Sequence, residues 1–356
     1  MSSEKPPLPR LHAERSPNPP TLQSWSGWLL GSAAVTVGGV FAGGLGVEVV
    51  KSFSTDDLKT LNAVATYFLA AIALLAVGLW WRRRERRRMQ VGIAVLAHDS
   101  HRGQGGEENF QKACSYFKHN YAVAMHARID LPTDGPWDHE QVDALADEAM
   151  RGVTLARAIT PDTAQINLHA TMPLNVGFWF GSRFRHDHAP EVALLAAKPS
   201  GTFSSFIPVT VLGPAPSSKS PLIVESPTIF DEGDPCYTAL ALDLQGLGEQ
   251  FLPLVRETCR EYGIHTLLVM RSKTSRLDTS LKTFNGVVEQ VCREWRRLKL
   301  PDAARAGRHF AFLTGPVPIA IALGARLAAP TRNSWTAFSL RKNDHNYTPM
   351  PNHPMS

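Results

Sequence analysis

Cysteine is scarce in this 356-residue chain. The four present, Cys114, Cys236, Cys259 and Cys292, form no C-x-x-C pair and no metal-ligand spacing. That argues against a disulfide framework and fits a reducing compartment. Cys114 and Cys259 fall near the ends of matching helices and read as small core residues. Catalytic signatures are lacking too. No nucleophile elbow, phosphate-loop motif, Ser-His-Asp order or pair of carboxylates stands out, so no catalytic residue is expected. Metal-ligand patterns are equally poor. "HDSH" (98–101) and "HDH" (186–188) do not supply three ligands on a regular element, and neither a metal nor a cofactor is expected. Broad positive charge is absent as well. The net charge is +5, but "RRRERRR" (82–88) carries all of it and the remainder sums to zero. A single short run is not a cationic face, so no direct DNA or RNA binding is expected.

What is present is uneven hydrophobicity. Residues 1–24 are rich in proline and polar side chains and read as a disordered tail. Two uncharged runs follow, "LLGSAAVTVGGVFAGGLGV" (29–47) and "LNAVATYFLAAIALLAVGLWW" (61–81). Each approaches the ~20 residues that cross a hydrocarbon core of ~30 Å. The six arginines after the second run, with Trp25, Trp28, Trp80 and Trp81 at the outer ends, predict a two-span hairpin over 25–90. On this reading both termini are cytoplasmic and the protein is multi-pass in the lipid bilayer. Gly39-x-x-x-Gly43 allows close helix packing, either within the hairpin or between chains.

From residue 91 the chain alternates strand and helix twice. "VGIAVLAHDS" (91–100) is an apolar run suited to a buried parallel strand. A helix over about 107–119, a strand over 122–130, a helix over about 139–158, the strand "AQINLHA" and a helix ending near Gly181 follow, then "EVALLAA" (191–197). The order repeats in "YTALALDL" (237–244), "FLPLVRETCREY", "IHTLLVMR" (264–271), a helix over 281–298, "RHFAFL" (308–313), a helix over 316–327 and "WTAFSL" (335–340). Sliding by 143 positions pairs Thr171 with Thr314, Pro173 with Pro316, Gly181 with Gly324 and Arg183 with Arg326. The expected fold class is α/β: two fused Rossmann-like lobes, 91–232 with a linker and edge hairpin and 233–356, preceded by the hairpin.

Ligands of open α/β sheets bind beyond the carboxyl ends of the strands. Fused lobes would set two such edges side by side, forming one roughly symmetric cleft. Thr314-Gly315-Pro316 and its weaker copy around Thr171 and Pro173 stand at that edge. The glycine allows close backbone approach, and a helix N-terminus offers amides to phosphate. An ordinary αβ turn with a proline start accounts for the same residues. Asp99, Ser100, His101 and Arg102, with the glycines after them, and Gln245 and Gly246 occupy the first-strand loops. Their spacing is not a dinucleotide fingerprint. Arg271 and Lys273 end the strand "HTLLVMRS" and suit phosphate, although a solvated strand end is an equal reading.

The second half resembles a known family. "HFAFLTGP" (309–316), "IAIALGARL" (319–327), "WTAFSL" and the closing "HNYTP" with Tyr347 are similar to the SAVED domain, the sensor of cyclic-oligonucleotide-based antiphage defence (CBASS). The resemblance covers about residues 90 to 350, and SAVED domains are two fused CARF-like units. Together with the two apolar runs it points to the two-transmembrane effector type. It implies a non-enzymatic receptor for a cyclic di- or trinucleotide made by a partner nucleotidyltransferase (a CD-NTase). Binding between the lobes would drive homo-oligomers at the bacterial inner membrane, disrupting it and causing abortive infection. Tyr347, Phe203 and Phe206 could stack on bases, and each is also a natural core residue. Two rivals remain: a membrane-anchored CARF-type effector of a CRISPR system, and a membrane-tethered nucleotide-dependent enzyme.

Overall fold

The computed structural model describes residues 9–15, 69–70, 72–80, 90–100, 105–132, 137, 139–159, 165–184, 192–197, 206–214, 220–274, 277–298, 300–340 and 347–351. Two compact units are present. One comprises Met1–Glu14, Val91–His119 and Val123–Ser356, and the other Arg15–Gln90 with Asn120–Ala122.

In the smaller unit, residues 69–70 and 72–80 are helical. Among the described residues, no helix is long and apolar enough to cross a membrane. This overturns the expected transmembrane hairpin, and with it the multi-pass inner-membrane localisation. The expected first span (29–47), the arginine run and most of the tail (1–24) lie outside the described residues.

The larger unit contains two sheets. The first has strands β1 (His12–Arg15), β2 (Val91–His98), β3 (Val123–Asp130), β4 (Ile166–Thr171), β5 (Val192–Ala197) and β6 (Phe206–Val211), ordered β1-β3-β2-β4-β5-β6. Helices α1 (Gly105–Asn120), α2 (His139–Ile159) and α3 (Leu174–Ser182) connect them. The second sheet has β7 (Leu222–Val224), β8 (Thr228–Ile229), β9 (Asp234–Asp243), β10 (Ile264–Ser272), β11 (Arg308–Thr314), β12 (Trp335–Leu340) and β13 (Tyr347–Met350). Its order is β13-β12-β11-β9-β10-β7, with β8 also on β10. Helices α4 (Leu252–Glu261), α5 (Leu281–Arg297), α6 (Asp302–Ala306) and α7 (Val317–Leu323) join these strands.

Sequence pattern explains the elements. β2 is apolar along its length and buried on both faces, as a central parallel strand must be. In α5, Phe284, Val287, Val288, Val291 and Cys292 repeat at helical spacing and are buried. Ser280 caps that helix by accepting from the Thr283 amide at 3.3 Å, and Arg296 and Arg297 sit in its last turn.

Both sheets share one topology. Read from the second strand of each lobe, β3-β2-β4-β5-β6 matches β10-β9-β11-β12-β13, with four parallel strands and an antiparallel fifth. The fifth strands each carry a proline at an edge, where no ladder amide is needed. Pro208 pairs with Leu195 and Pro349 with Phe338, and Leu195 and Phe338 are themselves 143 positions apart. Residues 206–211, within the stretch read from sequence as a linker and an edge hairpin, form the edge strand of the first sheet. In each lobe the arginine after the third-strand helix forms a bidentate ion pair with the preceding helix: Arg183 with Asp147 at 2.8 and 3.0 Å, and Arg326 with Glu289.

The lobes meet through α3 and α7. A Cβ on Gly181 would collide with the Ile321 carbonyl oxygen, and one on Gly324 with the Phe178 carbonyl oxygen. Phe178 and Ile321 are again 143 positions apart, so this contact obeys the pseudo-twofold of the duplication. Three further links cross the interface. Asn175 donates to the Thr348 carbonyl at 3.0 Å, the Asn285 carbonyl oxygen accepts from the Thr210 hydroxyl at 2.8 Å, and Arg332 pairs with Asp143.

Candidate functional site

The carboxyl ends of β4 and β11 lead into the two Thr-x-Pro corners, and α3 and α7 start from them. The packing of α3 on α7 brings the corners together. Leu174, just past the first corner, lines one crevice with Thr314, Pro316, Leu244 and Leu313 of the second lobe. This crevice is closed and apolar, with no space the size of a water molecule. The space between the corners is thus filled by their own side chains.

Both corner threonines are committed within the fold. Thr314 is buried; its hydroxyl donates to Asp243 Oδ1 at 3.0 Å and accepts from the Leu244 amide at 3.0 Å. Asp243 is itself buried and accepts from the amides of Gln245, Leu247 and Gly248 at 3.1, 3.1 and 2.8 Å. The loop expected to cradle phosphate thus turns three amides inward onto its own carboxylate, while Gln245 and Gly246 remain exposed. Gly246 has φ 67°, the left-handed region that favours glycine.

Thr171 is anchored differently. His169 Nδ1 lies 3.2 Å from the Leu195 carbonyl, which can only accept, so Nδ1 carries the proton. Nε2 is then free to accept from the Thr171 hydroxyl at 3.3 Å. Burial pushes the His169 imidazole down from 6.5 to about 4, against the opposing Leu195 hydrogen bond. The ring is therefore neutral at physiological pH.

Pro173 and Pro316 occupy the N-cap positions of α3 and α7 rather than the first helical positions expected. Few amides are left at these ends. The Val176 amide donates to Asn175 Oδ1 at 2.9 Å, Pro318 has none, and the Ile319 amide returns to Pro316 O at 3.1 Å. Gly315 is needed for packing: its φ is 128°, and a Cβ there would stand 2.8 Å from Leu244 Cβ. Both observations favour a structural role for the corner motif.

Cationic groups at the same edge are better placed. Arg271, at the end of β10, is registered beside Asp243 and half exposed, with Nε 3.1 Å from Glu225. Lys273 is exposed two residues on. In the first lobe Arg128 of β3 holds the equivalent ladder position: it pairs with Leu96 as Arg271 pairs with Asp243, and it lies 143 positions earlier. Arg128 is also exposed, bonded to Glu107 at 2.8 Å and to Asp130 at 2.9 and 3.2 Å. Sequence reasoning named Arg271 and missed Arg128, although extending the 143-residue offset into "VAMHARID" would have found it. Near the first corner, Gly106 at the start of α1 approaches the Thr171 methyl; Asp99 is half-buried and Ser100 exposed. His101, Arg102 and Phe203 lie outside the described residues.

The proposed stacking residues are committed to packing. Phe206 is buried, with His169 edge-on at 4.7 Å. Tyr347 is half-buried, edge-on to Phe312 at 5.1 Å, and its buried hydroxyl has no partner among the described residues. Burial raises its pKa, with Cys259 and Asp243 adding to the effect. Among the cysteines, Cys259 and Cys292 are buried, their thiols pushed up to about 12 and about 11 by desolvation, while Cys114 and Cys236 are half-buried. Among the described residues, no group of three or more metal-ligating side chains is present.

No protein-family model matches the chain, and no curated protein matches it. Among solved structures it is similar to the Acinetobacter baumannii Cap4 SAVED/CARF-domain containing receptor. With the cyclic trinucleotide 2'3'3'-cAAA bound, that receptor matches at 12% identity and a TM-score of 0.44, over 81% of this chain and 58% of the other. With 3'3'3'-cAAA the values are 12%, 0.45, 81% and 58%. A third structure of the receptor gives a TM-score of 0.38 at 12% identity, covering 57% of that chain. This chain thus spans under three fifths of the length of those chains. Similarity at this level leaves function to the chain's own geometry.

Proposed function

We propose that the two lobes form one receptor for a cyclic oligonucleotide of two or three nucleotides, bound over the paired corners at the carboxyl edge of both sheets. The observation that carries this reading is the pseudo-twofold packing of α3 on α7. It aligns two equivalent sheet edges, each with an exposed arginine near the end of a strand, Arg128 of β3 and Arg271 of β10. A ring of repeated nucleotides presents repeated phosphates, and repeated guanidinium groups are suited to them. Lys273 adds charge on one side. His101 and Arg102 belong to the same proposed site, as do the exposed Gln245 and Gly246.

The chain acts here as a receptor and not as an enzyme, and ligand binding promotes self-association. A ligand shifts assembly only by its differential affinity for the assembled state, so self-association should rise with ligand occupancy. The test is a thermal-shift screen of the full chain against cyclic di- and trinucleotides, with NAD and a sugar nucleotide alongside. A shift with at least one cyclic compound, recovered intact and accompanied by larger species in sedimentation, is the expected result. No shift with any cyclic compound removes the proposal, and a shift with NAD or the sugar nucleotide alone replaces it with an enzyme.

A further inference from the structure

A second cavity lies at the opposite end of the second lobe, where β11 and β12 begin. It measures ≈ 370 Å³ and opens between the end of α5, α6 and the segment after α7. Volumes of this order are typical of small-molecule sites. Trp295, His309 and Trp335 form an aromatic corner, with ring centroids 5.0 to 5.5 Å apart. Arg296 and Arg305 stand at its mouth, both exposed and neither paired with a carboxylate among the described residues.

The internal duplication provides a control for what packing alone requires. In the first lobe the ladder pair at this position is Ile166 with Val192; in the second it is His309 with Trp335. Aliphatic side chains fill the first lobe here, all buried. On the offset of the helix ion pairs, Trp295 replaces Val153. The polar aromatic set brings a cost that the aliphatic one avoids, because His309 Nδ1 and Trp335 Nε1 are buried without hydrogen-bond partners among the described residues. The backbone beside the cavity is irregular as well. Residues Gly324–Ala328 form a π-helical turn, and Thr331, on the cavity wall, has non-helical φ −132° and ψ 46°. π-Turns of this kind recur at functional sites.

We propose that this cavity binds a planar aromatic anion of about mononucleotide size. The half-buried face of Trp295 stacks on the ring, and Arg296 and Arg305 take the anionic group. The site is separate from the carboxyl edge and does not depend on that reading.

Isothermal titration of the full chain with adenosine 5′-monophosphate and with indole-3-carboxylate tests this, with adenosine as the uncharged control. Saturable binding of at least one anion is expected, tighter than that of adenosine. It should weaken about tenfold or more in Arg305→Gln and Arg296→Gln and in Trp295→Val. Arg128→Gln/Arg271→Gln should leave it unchanged, which separates this site from the other. No binding of either anion overturns the proposal. Binding that is indifferent to both cavity arginines overturns it equally, as does binding lost in the Arg128→Gln/Arg271→Gln chain. Arg296 and Arg305 are exposed, so those variants should fold, and a retained thermal midpoint verifies it.

Discussion

Gly181 rests directly on the Ile321 carbonyl, and its copy Gly324 rests on the carbonyl of Phe178, the copy of Ile321. The two contacts are one contact seen twice about a pseudo-twofold axis. Backbone sits against backbone, so an added methyl has no flexible side chain to displace. Gly181→Ala and Gly324→Ala should each lower stability by about 3 kcal/mol, at the upper end of overpacking effects. Calorimetric melting of each variant checks this. If the lobes are held mainly by other contacts, either variant will melt close to the parent.

The neutral, buried His169 makes stability dependent on acid. Its folded pKa of about 4 lies below the ordinary 6.5, so the unfolded chain binds the extra proton first. Stability is full above about pH 6.5 and falls as pH drops towards 4, by about 3 kcal/mol for this group. His309, also depressed by burial, acts in the same direction. The ladder position of His169 beside Ala94 is held in the second lobe by Phe312 beside Ala241. His169→Phe should therefore flatten the acid limb of urea midpoints measured between pH 4 and 7, leaving the smaller slope from His309. An unchanged limb would place the titration elsewhere.

The duplication was legible because its markers do specific physical work. Glycine is required where two backbones touch, and an arginine must match a carboxylate one helix away, so both kinds of residue stand out at a fixed offset. The fifth strands were legible only in part, the first as an edge hairpin without bounds beside a linker. A proline edge strand such as "FIPV" has no alternating apolar pattern, and the surrounding Pro, Ser and Gly suggested linker. At the carboxyl edge, the loop amides read from sequence as phosphate contacts turn inward. A loop with glycines after a strand looks like a phosphate cradle whether its amides face outward or, as here, fold onto Asp243. The apolar run 61–81 predicted a span that is not borne out, since among the described residues no helix is long and apolar enough to cross a membrane.

Asp243 organises the carboxyl edge of the second lobe. Asn in its place keeps one acceptor oxygen but sets an amide group against backbone N–H donors. Asp243→Asn should cost about 2 kcal/mol, the scale of a lost charge-assisted hydrogen bond. Its more direct signature is local: hydrogen exchange at residues 245 to 248 should accelerate while β9 stays protected. Unchanged exchange there would mean the loop is ordered by its own turn.

Arg332 links the two lobes. Its guanidinium lies 4.0 Å from the centre of the Trp179 ring, pairs with Asp143, and donates to Ser182 Oγ at 2.9 Å. Asp143 also accepts from Trp179 Nε1 at 2.9 Å. Removing one charge strands the other in a mostly buried setting, so Arg332→Gln and Asp143→Asn should each cost about 3 kcal/mol. The double variant should cost less than the sum by about 1 kcal/mol or more, which a double-mutant cycle reads directly. Additive effects would show the pair to be independent.

Arg128 and Arg271 give the receptor reading its sharpest consequence. Each is held by surface carboxylates, and exposed ion pairs of this kind contribute about 0–1 kcal/mol, so Gln at either position should leave folding intact. Against a cyclic trinucleotide, each single change should weaken binding about tenfold and the double change more, with a shallower dependence on salt. Arg151→Gln, exposed on α2 and paired with Glu148, should change nothing. The ligand must also compete with Glu107 for Arg128, whose guanidinium that carboxylate engages at 2.8 Å. Glu107→Gln weakens the competitor and should therefore tighten binding, the opposite sign to every other change at this edge. Weaker binding in that variant would mean that Glu107 positions the arginine rather than occupying it.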